Sequence, residues 1–209
     1  MTHGVKYEGT FKDDKQNGFG VWTNDKGTYQ EGENYDGKQH GFCQVEYGSG
    51  KKYECLAEGG RISGFGICTE PDGYIFEGHY LNDKKEGQGL EIFPDGKKYE
   101  GMFKGDKRHG EGVLTTNEGY SYEGGFENNV RHGKGVEVLV DRSRYEGEFK
   151  NDLRDGQGIL IEPDDYTYDG AFKNGKKHGA CVIMYADGRI FTGTYQNGQE
   201  SSGETVSPD

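Results

Sequence analysis

Tyr99-Glu100-Gly101-Met102-Phe103 is the clearest copy of the motif that decides how this chain folds, aromatic-Glu-Gly-x-aromatic. The first position of the motif returns every 23 residues and carries an aromatic side chain in every copy except the one at Gln30. The other lead positions are Tyr7, Tyr53, Phe76, Tyr122, Tyr145, Tyr168 and Phe191. A fixed period of this length is typical of stacked repeat proteins, in which each unit covers its neighbour. The sequence therefore predicts a repeat array of about eight and a half units over residues 1–198.

Each unit has the pattern of a β-hairpin. In the copy at Tyr99, buried-type residues alternate with polar ones, which indicates a half-buried strand. Eleven residues after the lead position comes a glycine such as Gly110, which opens a second strand in which glycines leave room for rings. Asp-Gly pairs such as Asp95-Gly96 end the unit and predict a two-residue turn. We predict an all-β fold, an elongated single-layer antiparallel β-hairpin solenoid roughly 80 Å long.

The same pattern predicts which residues hold the repeats together and where the array ends. The ninth unit, from Phe191, supplies one strand without its return, and residues 199–209 are expected to form a flexible polar tail. That arrangement leaves an unpaired strand edge, through which a homodimer could form. The residues expected to build the repeat structure are Tyr7, Gly9, Phe11, Tyr99, Gly101, Phe103, Tyr122, Gly124, Phe126, Tyr145, Gly147, Phe149, Tyr168, Gly170 and Phe172.

The motif, the glycine pair that follows it and the Asp-Gly spacing resemble the MORN repeat (membrane occupation and recognition nexus), over nearly the whole chain. The resemblance implies a twisted antiparallel β-array with a groove that serves as an assembly platform. It also implies proposed roles in phospholipid binding, homodimerisation and the capture of partner helices, and members that act in cilia, flagella or the cell cortex.

Composition and charge exclude several classes of function. The formal net charge of -12 disfavours nucleic-acid binding, which depends on neutralising phosphates. Carboxylates and histidines recur at fixed positions of the repeat, and no nucleophile, base and orienting acid stand apart from the period. The glycine pairs lack the strand-turn-helix context of a nucleotide-binding motif. We therefore expect a protein that is not an enzyme and that needs no cofactor.

The four cysteines favour free thiols in a reducing compartment. Cys43, Cys55, Cys68 and Cys181 lack CxxC spacing. His40 with Cys43 and His178 with Cys181 share HxxC spacing, which leaves zinc as a weaker alternative, but we predict no metal site. Residues 1–12 contain no apolar run typical of a secretory signal, so we expect a cytoplasmic protein, and the family resemblance points to the cytoskeleton.

Departures from the repeat mark a candidate partner-binding site. The residue after the repeat glycine is Phe19, Phe42 or Phe65 in the first three units, whereas later units have polar residues or alanine. A position that tolerates Gln, Glu and Lys points to water, so three phenylalanines would form an exposed stripe. The alternative is that the first repeats coil more tightly and bury these rings. Tyr35 is displaced by one position from the second aromatic position of its copy and joins the candidate site.

Cations recur in the turn before each repeat glycine. Stacked, they would form a basic edge suited to anionic lipid or to an acidic partner. The acidic residue after each lead position opposes this role, and a solvated charged edge is the alternative. The residues of this edge are Lys84, Lys85, Lys107, Arg108, Arg131, Lys176 and Lys177.

These observations predict a non-catalytic scaffold for protein partners, which docks a helical or extended segment along a groove of the array. A peripheral membrane adaptor that binds anionic phospholipid through the basic turns is the second hypothesis.

Overall fold

The computed structural model describes residues 4–208, and every regular element in this range is a β-strand. The chain divides into two compact units, one up to Lys107 and one from Arg108. The strands of the first unit are β1 (Val5–Lys12), β2 (Lys15–Asn24), β3 (Tyr29–Tyr35), β4 (Lys38–Glu46), β5 (Lys52–Glu58), β6 (Arg61–Thr69), β7 (Ile75–Leu81), β8 (Lys84–Ile92) and β9 (Lys98–Lys104). The remaining strands are β10 (Lys107–Thr115), β11 (Ser121–Glu127), β12 (Val130–Val138), β13 (Arg144–Lys150), β14 (Leu153–Glu162), β15 (Tyr166–Lys173), β16 (Lys176–Tyr185), β17 (Ile190–Gln196) and β18 (Gln199–Val206).

Within each unit, consecutive strands pair antiparallel as a meander, which confirms the predicted all-β class and the hairpin array. Two kinds of turn alternate. Asn128-Asn129, with φ of 52° and 76°, forms a two-residue hairpin turn of the type that needs two left-handed residues. Asn and Asp tolerate this conformation, which explains why they recur there.

The Asp-Gly pairs that end the repeat units do not form the predicted two-residue turn. Around Asp72-Gly73, the amide of Gly73 donates to the carbonyl of Glu70 at 3.0 Å. The amide of Glu70 donates to the backbone carbonyl of Tyr74 at 2.9 Å. The loop is therefore longer, with Gly73 in the left-handed position (φ 96°) and the Asp72 carboxylate accepting from the Tyr74 amide. This geometry is the longer hairpin loop in which a turn is followed by a left-handed glycine.

The repeat glycine, eleven residues after each lead position, lies in a β-bulge. Between β11 and β12, Gly124 pairs with Gly135 and Phe126 pairs with Arg131, so three residues of β12 lie opposite Gly125 alone. Gly133 lies in this bulge with φ of 77°, where a side chain would be strained. The second glycine, two residues later, is the one that leaves room for a ring, so only that part of the glycine prediction holds.

The core is a row of aromatic rings on one side of the meander, which we call the aromatic face. It carries the lead residue, the glycine and the second aromatic residue of each motif. Tyr145 is fully buried, and its hydroxyl donates to the carbonyl of Glu148 at 3.0 Å, at the position of the bulge. Phe149 lies edge-on to Tyr145 of its own repeat and to Tyr122 of the preceding repeat, at ring distances of 5.2 Å and 5.0 Å. Each repeat thus completes the core of its predecessor.

The first copy of the motif does not have this environment. Phe11 is 62% exposed, although it was expected to build the core. The reason is that a second aromatic residue packs on the lead ring of the preceding repeat, and Tyr7 belongs to the first repeat. Tyr7 itself is half-buried and contacts Phe11 at 5.2 Å.

The ninth unit also differs from the prediction. Gln199–Val206 forms β18, which pairs with β17 over its whole length. Gln199 lies opposite Gln196 at one end, and Val206 lies opposite Ile190 at the other. The expectation of one strand without its return is therefore wrong. The hydroxyl of Ser201 donates to the carbonyl of Thr194, and the side chains of Thr194 and Ser202 share a further hydrogen bond. Every residue of this strand is exposed, although the ring of Phe191 packs over Gly203.

Candidate functional site

The side of the meander opposite the aromatic face carries the acidic residue that follows each lead position, and we call it the glutamate face. Alternation along the strands places residues on this side. In β2, Val21 pairs with Glu31, and Phe19 pairs with Glu33, two residues further along. The three candidate phenylalanines therefore belong to the glutamate face.

The phenylalanine stripe (Phe19, Phe42 and Phe65) is exposed. The exposed fractions are 58%, 49% and 42%, so the tighter-coil alternative does not hold. The three rings lie on β2, β4 and β6, every second strand, which corresponds to steps of roughly 10 Å. Phe65 makes an edge contact with His79 at 6.0 Å. Exposed aromatic rows of this kind are typical of interaction surfaces.

Leu56 extends the stripe, and the sequence analysis missed it. It pairs directly with Phe42 across β4 and β5 and is 44% exposed. Ile67 pairs with Glu54 on one side and with Glu77 on the other, so carboxylates flank the apolar row. The signal was available, because Leu56 stands in the position where the neighbouring copy has His79.

Tyr35 belongs to a different environment. It is 66% exposed at the end of β3, and its ring lies 5.9 Å from the ring of His40. Together with Lys12, Lys15 and Asp36 it lines a shallow cavity of about 370 Å³ beside a hairpin turn. Within residues 4–208, no ring contact joins Tyr35 to the phenylalanine stripe, so Tyr35 is a separate candidate position.

The basic edge is divided between two environments. Lys84, Lys107 and Lys176, the first residues of their strands, are exposed. The next residue along each strand points to the aromatic face and is half-buried, as in Lys85 and Lys177.

The half-buried cations cover aromatic rings. The Lys85 ammonium lies 4.5 Å from the ring centre of Phe76 and 2.7 Å from the Glu91 carboxylate, and it also contacts the Tyr74 hydroxyl. Lys177 lies 4.3 Å from the ring centre of Tyr166, and burial lowers the pKa of its ammonium group. Cations over rings are attracted by the ring quadrupole. These lysines therefore stabilise the core and are not presented to a ligand.

Arg131 has the same role in the second unit, where it is part of a buried ionic network. Its guanidinium lies 5.1 Å from the ring centre of Phe149, contacts the Glu137 carboxylate and donates to the Tyr120 hydroxyl at 2.8 Å. Arg154 donates to the other oxygen of Glu137 at 2.8 Å and 3.0 Å. Burial alone would raise the pKa of Glu137, but the two arginines outweigh it and hold the pKa below 4.5. Sequence reasoning missed Glu137, which shares its repeat position with Glu91, whereas the other repeats have apolar residues there.

Two of the cysteines meet. Cys43 and Cys55 pair directly across β4 and β5, and both are buried as free thiols. A hydrogen bond from the Cys55 thiol lowers the pKa of Cys43. Cys55 occupies the motif glycine position, over which a lead ring would pack, and Tyr53 is only half-buried as a consequence. Across residues 4–208, no group of three His, Cys, Asp or Glu side chains is arranged to hold a metal ion.

The second unit has a groove on its glutamate face, with a volume of about 640 Å³. Its lining includes the side chains of Glu111, Glu123, Lys134, Val136, Glu146, Glu148, Gln157, Ile159 and Asp169. Five of these are carboxylates and one is an ammonium group, so the groove is acidic. Within the described range, no helix is long and apolar enough to cross a membrane.

Solved structures are similar to this chain at low sequence identity. The wild-type TCP10 domain of Danio rerio CPAP is 11% identical, with a TM-score of 0.50, over 100% of this chain and 98% of that one. A point mutant of the same domain gives 12% identity and a TM-score of 0.50, over 98% and 96%. The SAS-4 TCP domain of Drosophila melanogaster, in complex with a proline-rich motif of Ana2, is 11% identical with a TM-score of 0.40, over 80% and 84%. At this identity, the likeness to the Danio rerio domain concerns the fold alone.

No curated protein sequence matches the chain. A family model for the MORN repeat matches residues 7–29, 76–98, 99–119, 122–144, 145–164 and 168–188, each segment beginning at a lead aromatic. Residues 30–75, which hold the copies at Gln30 and Tyr53, are not matched. The matched segments cover more than half of the sequence and coincide with the hairpins of the structure, so this chain belongs to the MORN-repeat family.

Proposed function

We propose that this chain is a non-catalytic scaffold that docks protein partners on the glutamate face, with the phenylalanine stripe of the first unit as a principal contact. The observation that carries the proposal is the exposure of Phe19, Phe42 and Phe65 at equivalent positions of β2, β4 and β6. Membership of the MORN-repeat family supports a role in protein interaction in general.

The chemistry of the stripe favours a partner segment with apolar side chains. A repeat of rings every second strand suits a segment that crosses the strands and places an apolar side chain in each gap. Burying one aromatic side chain contributes about 2 kcal/mol, so each ring of the stripe would add measurably to the free energy of binding. The carboxylates beside Ile67 would orient a partner that also carries cations.

We further propose a cytoplasmic, cytoskeleton-associated location, in a cilium, a flagellum or the cell cortex. Family resemblance supports this part of the proposal. The membrane-adaptor hypothesis receives less support, because Lys85, Arg131 and Lys177 are engaged with rings and carboxylates.

Homodimerisation through outer strands stays a prediction. The outer strand of the second unit, within the described residues, is β18, which is exposed along its length and polar except at Gly203 and Val206. Such a strand resists edge-to-edge pairing in water. Sedimentation over a range of concentrations tests the prediction, and a monomer throughout would contradict it.

The experiment that tests the scaffold is a comparison of partners captured from native lysate. The wild-type chain is compared with a triple variant, Phe19→Ser with Phe42→Ser and Phe65→Ser. A control variant, Leu81→Ser with Val140→Ser, removes exposed apolar side chains elsewhere. We expect a partner that is lost with the triple variant and retained by the control, followed by direct binding of that purified partner. An unchanged set of bound proteins would remove the stripe from the proposal.

A further inference from the structure

A second surface, on the glutamate face of the second unit, has a different chemistry from the phenylalanine stripe. Glu123, Glu146 and Asp169 occupy equivalent positions of β11, β13 and β15. Each pairs directly with an aliphatic residue on the strand before it and on the strand after it. We call these three acids the carboxylate ladder. The aliphatic residues between its rungs and at its ends are Val113, Val136, Ile159 and Val182.

Two of the three carboxylates of the ladder have no cationic partner within the described residues. Neither Glu123 nor Asp169 makes an ion pair or a hydrogen bond with any residue of the range 4–208. Glu146 pairs with Arg144 at 2.7 Å, but both side chains are largely exposed. Lys134 is the single cation among the residues that line the groove. An incoming cation therefore meets carboxylates that need not give up a buried partner.

The aliphatic residues make the groove suitable for a peptide as well as for ions. Val113, Ile159 and Val182 are 39%, 40% and 37% exposed, so part of each side chain is open to water. Ile159 lies about 4.8 Å from a ladder carboxylate on each side, and Val113 and Val182 lie that far from one, because neighbouring strands have that spacing. Simple counter-ions would leave these surfaces in water, whereas a peptide with apolar residues between its cations would bury them.

The strand spacing also selects the conformation of the peptide. Carboxylates on every second strand recur at roughly 9.6 Å. Three residues of a polyproline-II segment advance about 9.3 Å, which keeps every third side chain in step with the ladder. Seven residues of an α-helix advance about 10.5 Å, so a helix drifts out of step by about 0.9 Å per rung.

We propose that the carboxylate ladder binds an extended segment of a partner protein in which Lys or Arg recurs at every third residue, with small apolar residues between. The segment crosses the strands, its cations pair with Glu123, Glu146 and Asp169, and its apolar residues contact the valines and Ile159. This surface lies in the second unit and goes beyond the proposed function of the phenylalanine stripe, so either can fail alone.

The test is fluorescence anisotropy of a labelled peptide built from repeats of Lys-Pro-Val, titrated with the full chain. The ladder variant is Glu123→Gln with Asp169→Asn. The control variant, Glu118→Gln with Asp164→Asn, removes the same charge from exposed turns of the same unit. We expect the ladder variant to bind about tenfold more weakly, the control to bind as the wild type does, and the affinity to fall as salt rises.

Two peptide controls decide between register and bulk charge. One has the same composition in scrambled order, and the other is helical with Lys at every seventh residue. Weaker binding of both supports the proposal. Equal binding of the scrambled peptide, tighter binding of the helical one, or an unaffected ladder variant would overturn it. The triple phenylalanine variant keeps the ladder intact, so its binding of the peptide separates this site from the stripe.

Discussion

The ring of Tyr145 packs directly against Gly158, the glycine that pairs with Gly147 across the hairpin. A Cβ atom at Gly158 would lie 2.4 Å from the tyrosine hydroxyl and 2.5 Å from two ring carbons. The same ring also contacts Gly147 of its own strand, so it packs flat over this pair of glycines. Burial raises the pKa of Tyr145 to about 12. This contact explains why the glycine recurs with the aromatic residue.

Gly158→Ala should therefore destabilise the second unit by about 2 kcal/mol, because the added methyl group forces the Tyr145 ring off its site. Urea unfolding followed by circular dichroism measures the effect. Gln157→Ala, at the adjacent exposed position of β14, is the matched control and should leave the midpoint nearly unchanged. Equal midpoints for Gly158→Ala and the wild type would contradict the packing described here.

Glu137 should make stability depend on pH. Its pKa in the folded protein lies below the ordinary value of 4.5, so the carboxylate stabilises the fold above pH 4.5. That contribution is lost as the pH falls through the folded pKa. Glu137→Gln leaves Arg131 and Arg154 without their shared carboxylate and should cost about 3 kcal/mol near neutral pH.

The difference in unfolding free energy between wild type and Glu137→Gln should shrink as the pH falls below 4.5. Urea titrations at a series of pH values measure it. Glu118→Gln, in an exposed turn, serves as the control and should show no such convergence. A gap that stays constant with pH would show that the network contributes through shape and not through charge.

Anionic vesicles should not retain the chain at physiological salt. Lys85, Arg131 and Lys177 are held over rings, and the remaining exposed lysines belong to a chain of net charge -12. Co-sedimentation with phosphatidylserine vesicles, compared with neutral vesicles, is the measurement. Salt-sensitive binding that disappears in a Lys84→Gln, Lys107→Gln, Lys176→Gln variant would instead establish the membrane-adaptor function.

Mild oxidation should join Cys43 to Cys55 in preference to Cys68. Cβ atoms of directly opposed residues lie about 4.5–5.5 Å apart, and a disulfide needs about 3.5–4.5 Å, so a small approach is enough. Diamide supplies the oxidant, taking one hydrogen from each thiol. Peptide mapping by mass spectrometry without reductant identifies the link, and Cys55→Ser removes it. A dominant link that involves Cys68 would contradict the register of β4 and β5.

Some of the site could be inferred from the sequence because it depends on period alone. The phenylalanines at 19, 42 and 65 share one position of the repeat, and strand alternation fixes the side on which such a position lies. The exposure of these three phenylalanines could be predicted because later copies have polar residues at the same position. Leu56 and Tyr35 were assigned less well, because both lie in the copies where the motif departs from its own pattern.

The basic turns show where period was not enough. Lys84 and Lys85 are adjacent in the sequence and looked like one basic edge, yet Lys84 is exposed and Lys85 lies on Phe76. The bulge at the repeat glycine decides this, since it brings Lys85 opposite Tyr80, on the aromatic face. A bulge changes which residue of a strand faces a ring. The number of residues in a bulge cannot be predicted from the spacing of the repeat in the sequence.

The sequence by itself determined the repeat, the hairpins and the all-β class, because these depend on local alternation, turn residues and a fixed period. Only the tertiary structure decided the partners of each charge and the limits of the array. Glu137 between two arginines, Phe11 left uncovered and β18 paired with β17 all depend on which strand lies beside which. The physical reason is that burial and ion pairing are properties of neighbours, and a repeat specifies its neighbours only while every copy is alike.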